Sequence, residues 1–234
     1  MTWPLLLTPF LPLLVLVPGG SWALPLVAPM TLYMPFRERV KEGDYYRAWI
    51  LGIVWAFLLS LGVIVLVFWL PDAARAGILH GEAYRLEMFD WIATGSGKEN
   101  QPAIFIPEHL LHLAVFILLT WVSGGYLGLV LGAVLTAYMS YFVGSYAAAS
   151  GHPFLGSVAA WVPWSVLRVC AFVLLGTLFA RPLLVRRIWP FGRREVGLMA
   201  LAFSGILGDI LIKTFCAPAY GEFLRQMARS LAGP

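Results

Sequence analysis

Charge is what this chain has least of. Only 12% of its 234 residues are Asp, Glu, Lys or Arg, about half the roughly 25% usual in soluble domains, which excludes an ordinary water-soluble globule. Cysteine is almost missing as well. Cys170 and Cys216 are the whole complement. Both lie within or at the end of apolar runs, where a thiol behaves as a small hydrophobe, and they have neither zinc nor thioredoxin spacing, so a disulfide framework and a zinc ribbon are unsupported. Positive charge is absent ahead of Arg37. A secretory signal needs basic residues before its apolar core, so the run at 5–17, although followed by Ser21-Trp22-Ala23, is predicted to remain as a membrane segment. The excess of positive charge, +4, sits in two short clusters with no nucleic-acid-binding module around them, which argues against a nucleic-acid partner.

What is present is lipid-like. The sequence is 60% hydrophobic with a mean hydropathy of +0.82. At about 20 residues per crossing, its apolar runs fill the chain and leave no room for a sizeable soluble domain. The expectation is all-α: one integral membrane domain over 1–234, a polytopic transmembrane helical bundle of five firm spans plus a proline-broken amino-terminal membrane segment. That segment, 1–36, carries Pro4, Pro9, Pro12, Pro18, Pro25, Pro29 and Pro35, each of which deletes a helical hydrogen bond. A kinked span or a re-entrant hairpin turning at Pro18-Gly19-Gly20 fits, provided protein covers the broken backbone.

The spans are predicted at 48–70, 109–123, 126–149, 155–180 and 196–217. Arg37, Arg39, Lys41 and Arg47 precede the first, and Arg181, Arg186, Arg187, Arg193 and Arg194 lie in the 181–195 loop. Under the positive-inside rule both clusters share the cytoplasmic side, as the even number of crossings between them allows. Localisation to a bacterial-type plasma membrane is the accompanying expectation. The loop at 71–108 then lies outside, with a predicted interfacial helix at 79–93 and a turn-rich connector at 94–102. The tail from Pro218 is predicted to lie outside as a separate amphipathic stretch. Gly124, Gly128 and Gly132 recur every four residues, a small-residue ridge that predicts close helix approach.

Against this background Arg168, Asp209 and Lys213 stand out, because a charge at the centre of a spanning helix costs at least ~2.5–3.5 kcal/mol and is kept for pairing, a cavity or a pathway. Arg168 lies 13 residues before Arg181 and Asp209 lies 14 after Glu195. On antiparallel helices joined at one face both reach a depth of about 20 Å, which predicts a direct Arg168–Asp209 pair. Lys213, four residues on, is placed to share the Asp209 carboxylate. Tyr138 and Tyr141, with Ser140, fall near the same depth and complete a substrate-binding or coupling set.

A second cluster, Glu108, His109 and His112, opens a predicted helix at the outer interface after Pro107. Glu108 and His112 share a helical face and could hold a divalent metal with His109 beside them, although the zinc-protease order is not met. Two functional classes follow. One is a small transporter, or a membrane subunit of a larger complex, centred on the Arg/Asp/Lys site; the other is a membrane-embedded, metal-dependent enzyme acting on a lipid or lipid-linked substrate at the outer interface. A clamp that only locks helices together also accounts for the charged trio, and a structural assembly factor is a third class. The partners are the lipid bilayer and a membrane-protein partner or a second copy of the chain.

Overall fold

Proline shapes the first forty residues. In the computed structural model, which describes residues 3–231, Trp3–Leu16 is a 3₁₀ helix containing Pro9 and Pro12. The chain then turns through Gly19, whose φ of 77° is the left-handed conformation glycine adopts without strain. It returns as α1 (Gly20–Val27) and α2 (Met30–Glu42), interrupted at Ala28-Pro29. This is the hairpin form of the predicted segment. Its two limbs are joined by a 2.9 Å hydrogen bond between the hydroxyls of Thr8 and Thr31. The interruption leaves Leu26 O without a helical donor and Ala28 O with only the Thr31 N–H at 3.4 Å, and side chains make up the difference. Trp55 Nε1 and Thr31 Oγ1 both donate to Ala28 O, at 3.0 and 2.9 Å, and the Tyr126 hydroxyl donates to Leu26 O at 2.7 Å. Protein, not lipid, therefore satisfies the broken backbone, as a membrane interior requires.

The remaining elements are α3 (Tyr45–Trp69), α4 (Pro71–Gly77), α5 (Gly81–Thr94), α6 (Pro102–Ser123), α7 (Tyr126–Ala149), α8 (Pro153–Ala160), α9 (Pro163–Val185) and α10 (Arg193–Leu231). The described residues are 87% helical and contain no strand. Five helices, α3, α6, α7, α9 and α10, are long and apolar enough to cross a membrane. The first of them starts cleanly because Asp44 accepts from the Arg47 N–H at 3.2 Å, satisfying one of the donors a helix start leaves open.

One end of the bundle gathers the basic clusters. Arg181 of α9 donates to both Glu195 of α10, at 3.0 Å, and the hydroxyl of Tyr45 at the start of α3. The α6–α7 turn reaches the same end, where Gly125 lies against Phe36 and Ala180. Both Gly124 and Gly125 have positive φ, 60° and 100°, which makes the reversal tight enough to leave no intervening loop. The equal-side placement of the two basic loops that span parity predicts is what the packing gives.

Three boundaries differ from the sequence expectation. Helix α6 begins at Pro102, seven residues before the predicted start, because Pro102 occupies the first turn, where its missing N–H has no cost; Pro107 and Glu108 therefore lie inside the helix. The predicted span at 155–180 is broken at Trp161-Val162, since Pro163 drives the preceding residue out of helical conformation: Val162 has ψ of 136°. The predicted helix at 79–93 is present as α5, with Met88, Trp91 and Ile92 buried against Phe142 and Tyr146 of α7.

The third difference is the largest. Helix α10 passes through Pro218 without stopping and runs 39 residues, about 58 Å at the usual rise, so its end is no separate tail. That end is pinned to the bundle. Tyr146 donates to Leu224 O at 2.7 Å, Arg225 Nε donates to Ile92 O at 2.6 Å, and Tyr220 donates to Ala159 O at 2.9 Å.

Candidate functional site in the bundle centre

Glycine makes room between α3, α6, α7 and α9. Gly125, Gly128 and Gly132 face inward from α7, joined by Gly52 of α3 and Gly176 of α9, and the space between them is a slot of about 90 Å³. From Gly125 to Tyr138 the slot follows α7 for about 20 Å, so its bore is slender. The predicted close helix approach along this ridge holds at Gly128, which sits against Thr120, but a side chain at Gly132 would meet nothing within 4 Å. The ridge is thus a wall of the slot as much as a packing seam.

Most of the lining is apolar, including Phe36, Trp55, Phe116, Leu129 and Phe172; polar groups collect at the end formed by His109, His112, Tyr138 and Arg168. Arg168 organises that end. Its Nη2 donates to Ser165 Oγ at 3.0 Å, one turn earlier on α9, and its Nη1 donates to His109 Nε2. A guanidinium has no acceptor, so the His109 proton must sit on Nδ1. That N–H is buried and has no hydrogen-bond partner. His109 is only 9% exposed and its ring lines the slot, with this donor buried beside a cation. Thr120 Oγ1, further along the slot, is also buried without a partner. His112 is exposed and lines the same slot, which therefore opens beside it.

Behind Arg168 lies the carboxylate that the depth argument predicts. Asp209 is fully buried and its Oδ2 is 3.8 Å from Arg168 Nε, within ionic reach but beyond hydrogen-bond distance. Neither Asp209 oxygen has a hydrogen-bond partner. The pair is consequently loose. Lys213 does not share this carboxylate. Its ammonium is 2.8 Å from Glu99 Oε1 and 4.3 Å from the centre of the Phe105 ring, so the connector before α6 dips inward to neutralise it. Glu99 is the buried partner that the sequence does not disclose; charge balance was the available signal, since a lysine so near the end of a span needs an acid from the adjoining loop.

The other predicted members separate. Tyr138 lines the slot and leans on Tyr84, whereas Tyr141 turns away and donates to Glu82 Oε2 at 3.1 Å. Glu82 also takes a two-pronged contact from Arg85 at 2.7 and 2.8 Å, and that guanidinium first, with the Tyr141 hydroxyl, holds its carboxyl down to about 2. Glu108 does not join His109 and His112 as a ligand set. It lies 3.4 Å from Lys98, whose ammonium pKa is raised by Glu87 first and by Glu108 after it, while His109 is committed to Arg168. Among the described residues no three His, Cys, Asp or Glu side chains are grouped as a metal site needs.

These features define a class: a multi-spanning α-helical integral membrane protein with a cationic pocket at the end of an apolar slot. Comparison with known protein families, with characterised proteins and with solved structures finds no match for this chain.

Proposed function

We propose that the protein is a small membrane transporter whose central slot takes up a slender anionic amphiphile, head at Arg168 and chain along the glycine wall. The observation that carries this reading is the slot itself: apolar along most of its length, with one cation and two histidine rings at a single end. A hydrophilic solute would leave the apolar wall unpaired with anything. A bulky one would not fit so slender a bore.

The chemistry follows from competition for Arg168. A ligand carboxylate or phosphate entering beside His112 accepts from the guanidinium, charge-assisted bonds of the stronger kind. Asp209, 3.8 Å behind Arg168, is the internal counter-charge that holds the arginine while the slot is empty. Lys213 and Glu99 keep the neighbouring stretch of α10 neutral, and Tyr138 closes the side of the head-group pocket. The basic loops face the cytoplasm of a bacterial-type plasma membrane in this reading, and the exposed apolar faces of α6 and α10 meet the bilayer, a membrane-protein partner or a second copy.

An enzyme working on a lipid-linked substrate draws on one observation, the pair His109 and His112 lining the slot mouth. It has less support, because Glu108 is engaged with Lys98 and no ligand set for a divalent metal converges there.

The test uses the protein in nanodiscs and displacement of a fluorescent long-chain carboxylate. Unlabelled long-chain carboxylate is expected to compete, the matching alcohol to compete roughly 10–100-fold less well, and Arg168→Gln to erase the difference, as loss of a hydrogen bond to a charged group worth ~1.5–3 kcal/mol implies. Equal competition by acid and alcohol sinks the proposal. Uptake of the same carboxylate into proteoliposomes then separates transport from binding.

A further inference from the structure

A second hollow lies on the lateral surface, separate from the central slot. It runs between the start of α3, one face of α9 and the first turns of α10, and has a volume of about 540 Å³, within the ~300–1,000 Å³ range of ligand pockets. Trp49, Leu174, Leu198 and Leu201 form its apolar walls and Gly205 lies toward its inner end. The one polar hydrogen of the Trp49 ring is already spent on Cys170 O, at 3.0 Å, leaving an apolar ring face. Leu201 is 62% exposed, so the groove is open sideways, toward where hydrocarbon lies in a membrane.

Its mouth is different in character. Arg194 stands there with its guanidinium over the ring of Tyr45, 5.7 Å from the centroid. The adjacent acid, Glu195, is taken by Arg181 and Tyr45, and among the described residues no carboxylate pairs with Arg194. Arg186, Arg187 and Arg193 add positive charge around the same loop. From Arg194 to Gly205 the helix descends about 16 Å, close to half of a hydrocarbon core roughly 30 Å thick.

A basic mouth at the membrane surface, leading into an apolar groove one leaflet deep and open to the side, matches the dimensions and polarity of a single phospholipid. We infer that this groove is a binding site for an anionic phospholipid, with the phosphate at Arg194 and one acyl chain against Trp49, Leu198 and Leu201. Basic pockets between spanning helices recognise anionic head groups in this manner. The tryptophan and leucine wall holds the chain, and the unpaired guanidinium selects the charge. The inference does not depend on what enters the central slot.

Native mass spectrometry of the full-length protein, released from detergent with equal amounts of phosphatidylglycerol and phosphatidylcholine of identical chains, tests it. The first bound lipid is expected to be phosphatidylglycerol by roughly fivefold, the worth of one surface arginine. Arg194→Gln is expected to remove that preference while Arg193→Gln, one residue away but outside the groove, keeps it. Ser204→Trp, which fills the groove from an exposed position, is expected to weaken the first adduct of both lipids. No preference in the unaltered protein overturns the inference. So does equal loss in the two arginine variants, which marks diffuse surface charge, or an unchanged first adduct in Ser204→Trp.

Discussion

Removing Glu99 should damage this protein more than removing the lysine it neutralises. The two charges are 2.8 Å apart, with side-chain exposures of 10% for Glu99 and 2% for Lys213. At that distance their gross attraction is about 6 kcal/mol for an effective dielectric of ~20. Most of this is offset by desolvation, so the net value of the pair is small, but breaking it from one side leaves a buried charge and costs ~3–5 kcal/mol. The two sides are unequal. Lys213 sits inside a spanning helix and, without Glu99, has only the Phe105 ring and Asp209, already facing Arg168. Glu99 sits in a connector at the bundle end and can turn outward to water once Lys213 is gone. Glu99→Ala is therefore expected to cost about 3–5 kcal/mol, Lys213→Met about 1–3, and the double variant close to the cost of Lys213→Met alone. Reversible unfolding in mixed detergent micelles, followed by tryptophan fluorescence, gives all three values. A loss below about 1 kcal/mol for Glu99→Ala, or a double variant equal to the sum of the singles, refutes the reasoning.

Three further outcomes can be checked. The Glu82 carboxyl is held at about 2 against an ordinary 4.5; a depressed folded value means that its contribution is present above pH 4.5 and lost as pH falls toward 2, so the unaltered protein should lose melting temperature over that window and Glu82→Gln should lose less, with equal slopes contradicting the assignment. Gly62→Ala would press a methyl group into the backbone of Pro9 and is expected to destabilise by about 1–3 kcal/mol in the same unfolding assay, as overpacking does; an unchanged midpoint would show that the amino-terminal hairpin does not rest on α3. A cysteine at exposed Ser96 should react with an impermeant maleimide added outside intact cells, whereas reaction only after permeabilisation would reverse the proposed orientation.

The sequence discloses features that depend on length and count, and hides those that depend on partners far along the chain. Hydropathy reveals the five spans because a bilayer demands about 20 apolar residues wherever they fall. Equal depth reveals the Arg168–Asp209 contact because two antiparallel helices share a ruler. Pro163 carried a legible stop signal that the continuous apolar run around it obscured, and Pro218 carried one that tertiary contacts of Tyr220, Leu224 and Arg225 overrode. Glu99 was hidden for another reason: a residue in an aperiodic connector, 114 positions from Lys213, leaves no pattern to read. The slot was hidden likewise, since a glycine ridge looks the same whether the neighbouring helix fills it or stands back.

Two of the donors that mend the broken amino-terminal hairpin come from later in the chain, Trp55 for Ala28 O and Tyr126 for Leu26 O. Ala28 O has Thr31 within the hairpin, but in lipid Leu26 O has no side-chain donor until the start of α7 has been inserted. The hairpin thus completes its hydrogen bonding only after roughly a hundred residues of further chain, and until then needs a wet or protein-lined surrounding. The break at Pro29 sets the order in which this membrane protein can be assembled.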